Sequence, residues 1–375
     1  MAAPDPTPLR SHLPTDSTLR WFRAPGRVNL IGDHTDYCDG WCLPVAIDRE
    51  VLVAAAPRTD GRIRAWSDAF PDRIEVPAAG PAPDTPAPAG WGGLMAALAH
   101  ELATRGVVVP GAELAVGSTV PVGSGLSSSA AFEVAVALAL AAQAECPLEP
   151  DELVFAAQAA EQRATGVPTG VLDQLASVRG TAGHALLLDC RSLSTEAVPL
   201  PDLDILVVHS GMPRALTSSE YAQRRRACEA AAARLGVPAL RDATLDQVAD
   251  YPFARHVVSE NARVLAFVDA LRASDHAQLG ALMLASHESL RDDYRVSTPE
   301  LDLLVRLLVQ HGALGARVTG AGFGGCVVAL TEPGEGMIVA ASALGPYRAR
   351  SMLVPTAFVA RSAEGAAEVE SPTSG

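Results

Sequence analysis

The sequence predicts an α+β chain with two domains. Helical and strand-like segments occur in segregated runs rather than in strict alternation, which favours α+β over a doubly wound parallel sheet. A length of 375 residues exceeds what one hydrophobic core usually holds, so two domains are expected. We assign residues 1–18, which are rich in Pro, Asp and Thr, to a flexible N-terminal lead, 19–200 to an N-terminal domain and 201–375 to a C-terminal domain.

The N-terminal domain is predicted to begin with strands and to continue with helices. Apolar and β-branched runs predict strands at 19–23, 43–56, 62–66, 113–119 and 185–189. A Pro/Ala/Gly-rich connector at 77–90 is expected to be an exposed loop, and a helix is predicted at 91–104. A second helix, rich in alanine, is predicted to begin near Ser128.

The C-terminal domain is predicted to combine several helices with a few short strands. The run 205–209 is expected to be its first strand, and the run 351–359 is expected to close it. Helices are predicted at 219–235, 254–272, 276–291 and 299–310. Two short strands are expected to enclose a glycine-rich loop at 320–325.

The composition narrows the classes of partner. A formal charge of −14 argues against nucleic acid and anionic membranes as partners. The longest apolar run, 134–142, is too short to span a bilayer. The six cysteines form no C-x-x-C pair and are interpreted as reduced thiols, which predicts a cytoplasmic location. The oligomeric state is left open, with a monomer favoured.

A dense polar cluster lies between Arg23 and Tyr37. It places Arg27, Asp33 and His34 close to Asp36 in a short stretch that contains two glycines. Carboxylates accept hydrogen bonds from sugar hydroxyls, and the planar guanidinium of arginine can orient a reacting oxygen. The cluster therefore suits a polyhydroxylated ligand, although a solvated polar turn between strands would have the same composition.

A glycine- and serine-rich segment separates a predicted strand from a predicted helix. Its glycines permit close backbone approach, and the free N–H groups and dipole of the helix N-terminus favour an anion. The chain contains no lysine, which excludes a lysine-dependent phosphate loop. A serine-capped helix after a tight turn is the alternative. The predicted phosphate-binding residues are Val122, Gly123, Ser124, Gly125, Leu126, Ser127, Ser128 and Ser129.

A second glycine-rich segment contains the pattern G-x-G-x-x-G at Gly320, Gly322 and Gly325. A dinucleotide-binding fingerprint should lead into a helix, whereas the following run 326–330 is short, apolar and β-branched. We therefore interpret this segment as a glycine loop between two strands. Such a loop allows the backbone to approach a ligand or another loop.

Together these segments resemble the motifs of the GHMP small-molecule kinases, and the match is closest to the galactokinases. The segment 26–37 is similar to the galactokinase signature Gly-Arg-x-Asn-Leu-Ile-Gly-Glu-His-Thr-Asp-Tyr. Further similar motifs lie at 168–174, 218–226 and 286–297, so the resemblance spans about residues 21–330. It implies a GHMP-kinase-like architecture with mixed and antiparallel sheets and an active site in the interdomain cleft.

The resemblance also implies roles for individual residues. ATP and Mg²⁺ are the expected cofactors, and a small-molecule sugar is the expected substrate. Arg27 and Asp173 would flank the anomeric hydroxyl, and Ser129 and Glu161 would bind Mg²⁺, with Ser128 as a competitor for Ser129. The residues implied to line the sugar are Asp33, His34, Asp36, Gly170 and Tyr221.

The implied reaction is ATP-dependent phosphorylation of the C1 hydroxyl of D-galactose. Phosphoryl transfer depends mainly on positioning and charge neutralisation. Asp173 is the candidate general base, but an adjacent Arg27 would stabilise its ionised form. The two residues could instead orient and polarise the hydroxyl, and the sequence leaves both roles open.

One residue of this chain departs from the galactokinase signature. Asp33 stands where galactokinases usually have glutamate. Its carboxylate therefore reaches less far toward C6 of the sugar, and selectivity at C6 is expected to be altered or relaxed.

Two alternative functions remain. The related alternative is a 1-kinase for L-arabinose or N-acetylgalactosamine. The distant alternative is a catalytically silent sugar sensor. Such sensors tend to lose part of the serine-rich motif before the predicted helix, whereas residues 127–131 are complete here.

Overall fold

The computed structural model of the chain describes residues 4–15, 17–81, 90–212 and 218–371. In these ranges the helices are α1 (Pro6–Ser11), α2 (Trp91–Thr104), α3 (Ser128–Gln143), α4 (Pro150–Thr165), α5 (Leu172–Arg179), α6 (Ser218–Leu235), α7 (Pro252–Ala273), α8 (His276–Asp292), α9 (Pro299–Gln310) and α10 (Gly336–Ser351). The strands are β1 (Arg20–Asn29), β2 (Trp41–Cys42), β3 (Pro44–Pro57), β4 (Arg62–Ser67), β5 (Phe70–Pro77), β6 (Ala112–Ser118), β7 (His184–Asp189), β8 (Thr195–Pro199), β9 (Asp204–His209), β10 (Gly315–Val318), β11 (Cys326–Thr331), β12 (Thr356–Ala360) and β13 (Ala367–Val369).

A six-stranded mixed sheet forms the centre of the N-terminal half, in the order β13-β1-β3-β6-β4-β5. Its pairs are antiparallel except for the parallel pair β4 and β6. Helices α2, α3 and α4 share a hydrophobic core with this sheet, and the many alanines of α3 let it pack closely. The N-terminus of α3 is thereby held in a defined place next to β1.

A four-stranded antiparallel sheet in the order β10-β11-β9-β12 organises the C-terminal half. Helices α9 and α10 pack in its main core, and α7 and α8 bury residues in a further core shared with the first sheet. That shared core includes Val28 of β1 together with Val207 of β9 and Val328 of β11. A small sheet in the order β2-β7-β8 completes the fold.

The α+β prediction is confirmed, and several predicted elements lie where the patterns indicated. The largest omission is α10, whose sequence contains Gly345 and Pro346 and therefore does not look helical. The segment 351–359 was expected to close the C-terminal domain; its first residue ends α10, and a strand occupies Thr356–Ala360. Strand β5 and helices α4 and α5 were also not predicted.

The predicted flexible lead is wrong where the structure describes it, because a helix lies there. Asp5 caps α1 by accepting a hydrogen bond from the Thr7 amide at 2.9 Å. Leu9 and Leu13 are buried in a cluster with Trp21, so apolar contacts hold this segment against the first sheet.

The domain division at residue 200 stays a prediction, and one feature departs from it. Strand β13 lies near the C-terminus but pairs with β1 of the first sheet.

Two other sequence predictions concern the connector and the membrane. Most of the connector 77–90 lies outside the described residues. In the described ranges, no helix combines the length and the apolar character that crossing a bilayer requires.

Candidate active site

A cleft of about 640 Å³ gathers residues that are far apart in the sequence. Its wall comes from β1 and the turn after it, the loop before α3 with the start of that helix, the segment from α4 to α5 and the loop after β10. Because β10 belongs to the second sheet, both halves of the chain contribute to the cleft. The lining residues are Arg27, Asp33, His34, Asp36, Val122, Gly123, Gly125, Ser127, Ser128, Ser129, Glu161, Thr165, Val167, Thr169, Gly170, Leu172, Asp173, Gly320 and Ala321.

Arg27 and Asp173 form an ion pair on the wall of this cleft. The Nε and Nη2 atoms of Arg27 donate to Oδ1 of Asp173 at 2.8 and 2.5 Å. Ser127 Oγ donates to Oδ2 of the same carboxylate at 2.5 Å, and Arg27 Nη1 donates to the carbonyl oxygen of Gly125 at 2.6 Å. The Arg27 side chain is 7% exposed and that of Asp173 is 29% exposed, so the carboxylate has a fixed orientation and an edge open to the cleft.

The turn after β1 presents three polar side chains, those of Asp33, His34 and Asp36, to the cleft. His34 has a φ of 65°, which places it in the left-handed region that residues other than glycine seldom adopt. Its Nδ1 atom lies 2.8 Å from the hydroxyl of Tyr37. Such strained residues persist where the surrounding structure holds them, and they cluster at ligand-binding sites.

Asp36 packs directly against the backbone of Gly170. A Cβ atom at Gly170 would lie 1.7 Å from Oδ2 of Asp36, so only glycine is compatible with the position of this carboxylate. Burial, and then the negative charge of Asp173, raise the pKa of the Asp36 carboxyl to about 7. Near neutral pH this group therefore exists in both forms and can accept or donate a hydrogen bond.

Asp33 is more deeply buried and contacts the C-terminal half of the chain. The amide of Gly320 donates to Oδ1 at 3.2 Å, and Nη1 of Arg317 lies 2.7 Å from Oδ2. Burial raises the pKa of Asp33, and the positive charge of Arg317 opposes that rise. Sequence reasoning missed Arg317, and the signal that could have found it is an arginine inside an otherwise apolar strand.

The loop before α3 contains residues in the left-handed region of backbone conformation. Gly125 and Ser127 have φ values of 85° and 62°, so the chain turns sharply before the helix begins. Two predicted members, Ser124 and Leu126, are buried rather than on the wall, and Ser124 Oγ donates to the carbonyl oxygen of Pro121 at 2.7 Å. The predicted members on the wall are Val122, Gly123, Gly125, Ser127, Ser128 and Ser129.

The side chains of Ser129 and Glu161 contact each other on the wall of the cleft. Ser129 Oγ donates to Oε1 of Glu161 at 2.9 Å, and Oε2 accepts from Thr169 at 3.2 Å and from Gln174 at 3.0 Å. Burial, and then the charge of Asp173, raise the pKa of the Glu161 carboxyl. This crowding of carboxylates would be relieved by a cation, and the hydroxyl and carboxylate oxygens suit Mg²⁺.

A complete protein cage for a metal is not present in the described ranges, where no group of three His, Cys, Asp or Glu side chains could hold an ion. Mg²⁺ usually takes one or two protein ligands together with water and the phosphate oxygens of a substrate, so the donor set still fits. Ser128 also lines the cleft, but the contact with Glu161 belongs to Ser129. The side chain of Tyr221, in α6, lies outside the described residues.

Glu133 and Gln174 form a second layer behind this site that the sequence analysis did not identify. Gln174 Nε2 lies 3.4 Å from Oε2 of Glu133 and also donates to Glu161. Glu133 has no exposed surface, and burial together with the charge of Glu161 raises its pKa well above the ordinary value. The available signal was a single glutamate in the apolar helix α3.

The fold and the site define a kinase of the GHMP class. Residues 93–181 match the family described as GHMP kinases N terminal domain, and residues 267–345 match GHMP kinases C terminal. The solved mevalonate kinase of Methanococcus jannaschii is similar with a TM-score of 0.67 at 18% identity, covering 94% of this chain and all of that one. At this identity the likeness concerns the fold alone.

Closer relatives narrow the class. Residues 14–57 match the galactokinase galactose-binding signature. The chain is 46% identical to the galactokinase of Chloroflexus aurantiacus, covering 85% of this chain and 84% of the relative, and 43% identical to that of Roseiflexus sp., covering 92% of each. The crystal structure of Lactococcus lactis galactokinase complexed with galactose is similar with a TM-score of 0.88 at 32% identity, covering 94% of this chain and 95% of that one. The chain belongs to the galactokinase family.

Proposed function

We propose that this protein transfers the γ-phosphoryl group of ATP to the C1 hydroxyl of D-galactose and releases galactose 1-phosphate and ADP. The observation that carries the proposal is the ion pair of Arg27 and Asp173, which contacts Gly125 and Ser127 of the loop before α3 and lines the same cleft as the polar turn after β1. An alcohol held beside this pair would face the phosphate-binding loop. In-line transfer requires this arrangement of acceptor and donor.

The sugar would occupy the side of the cleft formed by the turn after β1. Asp33, His34 and Asp36 supply acceptors and donors for ring hydroxyls, and Gly170 lets the backbone lie along the sugar. The fixed turn, with His34 in a strained conformation, supports a site that is organised before the ligand arrives. Tyr221 remains a predicted sugar contact from the family resemblance.

ATP would place its phosphates along the loop before α3. The N-terminal amides and dipole of α3, a helix of 16 residues, favour the phosphate charge, and Gly123 and Gly125 permit close backbone approach. Ser128 adds a hydroxyl donor on the cleft wall, whereas the single O–H of Ser127 donates to Asp173. Electrostatic stabilisation of this kind commonly supplies a large part of catalysis.

Arg27 and Asp173 would act on the C1 hydroxyl. Asp173 already accepts hydrogen bonds from Arg27 and from Ser127, so the hydroxyl must share or displace the contact of Ser127 to reach Oδ2. Asp173 then either takes the proton late in the transfer or orients the hydroxyl for attack. Arg27 would neutralise negative charge beside the reacting oxygen in both cases.

Ser129 and Glu161 would hold Mg²⁺. Their oxygen atoms and the raised pKa of Glu161 support this role, with Ser128 as the alternative serine. When bound there, Mg²⁺ would neutralise negative charge that develops on the phosphates during transfer. The cytoplasmic location and the absence of nucleic-acid and membrane partners stay predictions from composition.

A coupled assay of ADP release over a panel of monosaccharides tests the proposed function. The panel contains D-galactose, L-arabinose and N-acetylgalactosamine, with glucose as a negative control. We expect the highest kcat/KM with D-galactose, and the product identified as galactose 1-phosphate. Turnover confined to another sugar would reassign the substrate, and binding of galactose and ATP without turnover of any sugar would indicate a sensor.

A further inference from the structure

Arg317 is a buried cation from β10 that contacts the sugar-binding turn of the other half of the chain. Its side chain is 0% exposed, and its Nη1 atom lies 2.7 Å from Oδ2 of Asp33. The same nitrogen donates to the carbonyl oxygens of Asn29 and Leu30 at 3.3 and 3.2 Å, and Nε donates to Ser286 Oγ at 3.0 Å. These contacts hold the guanidinium in one orientation against the turn.

A second buried carboxylate balances the charge around Arg317. Oε1 of Glu260 lies 3.6 Å from Nη2 of Arg317 and accepts a hydrogen bond from Ser286 Oγ at 2.5 Å. Oε2 of Glu260 accepts from Nε of Arg263 at 2.7 Å. Asp33, Glu260 and the two arginines thus form a buried cluster of two negative and two positive charges. Arg263 belongs to this cluster through Glu260, whereas Arg317 also contacts Asp33 directly.

The carboxylate of Asp33 has a partner at each oxygen, a hydrogen bond at Oδ1 and an ion pair without a hydrogen bond at Oδ2. Gly320 donates its amide to Oδ1, Arg317 faces Oδ2, and only 6% of Asp33 is exposed. An aspartate side chain is one methylene shorter than a glutamate side chain, so its carboxylate stays near the backbone, where these two partners reach it. Both partners come from β10 or the loop that follows it.

We propose that Arg317 is a positioning residue that sets the sugar selectivity of the cleft by fixing the carboxylate of Asp33, an inference that rests on the proposed function. A carboxylate held in a fixed position strengthens the binding of a sugar that has a hydroxyl at the matching ring position. It also penalises a sugar that lacks this hydroxyl, because the buried carboxylate then loses a partner. If the carboxylate could rotate, both effects would weaken together.

Kinetics with galactose and its four monodeoxy analogues, at C2, C3, C4 and C6, test this inference. The Asp33→Asn variant identifies the ring position that Asp33 recognises. For each analogue we take the ratio of kcat/KM for galactose to kcat/KM for the analogue. The recognised position is the one deoxygenated in the analogue whose ratio falls in this variant. We expect Arg317→Lys to lower the ratio for that same analogue by about tenfold and to leave the other ratios nearly unchanged. Arg263→Lys is the matched control, since it alters the same buried cluster without a contact to Asp33, and its ratios should stay within about twofold of wild type.

The ratio distinguishes positioning from a general loss of structure, because a smaller folded fraction lowers kcat/KM equally for all sugars. Should Arg317→Lys fail to fold, Ser286→Ala loosens the same guanidinium with its charge intact and should lower the same ratio by a smaller factor. The inference would be overturned if the kcat/KM ratios of these variants stayed at their wild-type values, or if the ratios fell equally for every analogue. Failure of the proposed function would appear separately, as absence of galactose turnover by the wild-type protein.

Discussion

Gly170 and Asp36 are in such close contact that a Cβ atom at Gly170 would lie 1.7 Å from Oδ2 of Asp36. We therefore expect Gly170→Ala to displace the Asp36 carboxylate and to lower kcat/KM for galactose by about 10²-fold, because a shift of about 1 Å in a positioning group can have this effect. Steady-state kinetics measure the change. Gly345→Ala is the control, since a Cβ there meets nothing within 4 Å. Wild-type kcat/KM in Gly170→Ala would show that the position of Asp36 does not matter.

Asp173 is predicted to be required for turnover. Asp173→Asn removes the charge that faces Arg27 and weakens the acceptor for the sugar hydroxyl, so kcat should fall by roughly 10²-fold or more. Ser127→Ala is the comparison, because it removes only the hydrogen bond to Oδ2 and should have a much smaller effect on kcat. Near-wild-type kcat in Asp173→Asn would remove Asp173 from the mechanism.

The raised pKa of Asp36 predicts a pH dependence of stability. Between the ordinary value of 3.8 and about 7, the folded protein retains a proton on Asp36 that the unfolded chain has lost. The stability from this group is thus fully present below pH 3.8 and is lost as the pH rises through about 7. Asp36→Asn does not titrate, so its Tm should fall less than that of wild type between pH 5 and pH 8, in scans without ligand. Parallel Tm curves for the two proteins would contradict the assignment.

Glu161 is predicted to set the requirement for Mg²⁺. Glu161→Gln removes one charged oxygen ligand, so the Mg²⁺ concentration for half-maximal activity should rise by about tenfold or more at saturating galactose. Titrations with MgCl₂ at fixed ATP measure it. Glu152→Gln makes the same chemical change in the first turn of α4, on an exposed side chain, and should leave the requirement unchanged. An unaltered Mg²⁺ requirement in Glu161→Gln would exclude Glu161 as a ligand.

Local sequence patterns predicted those parts of the fold and site in which neighbouring residues decide the outcome. The loop before α3 is recognisable because glycines, serines and the start of a helix adjoin one another. Helix α10 was missed because Gly345 and Pro346 interrupt its pattern, and its stability comes from burial of Val339, Ala343 and Tyr347 in the second core. Helix α1 was missed because it contains few apolar residues, and these become buried only in the folded chain, in contact with Trp21.

The sequence by itself determined the α+β class, the family resemblance and the polar residues available to bind a sugar and a nucleotide. Only the tertiary structure decided how those residues are paired and charged: Asp173 with Arg27, Asp33 with Arg317, and Asp36 against Gly170. The physical reason is that the orientation and pKa of a carboxylate depend on burial and on nearby charges. Those charges come from segments that are distant in the chain and meet only when it folds: Arg27 meets Asp173 within the N-terminal half, and Arg317 meets Asp33 where the two halves pack together.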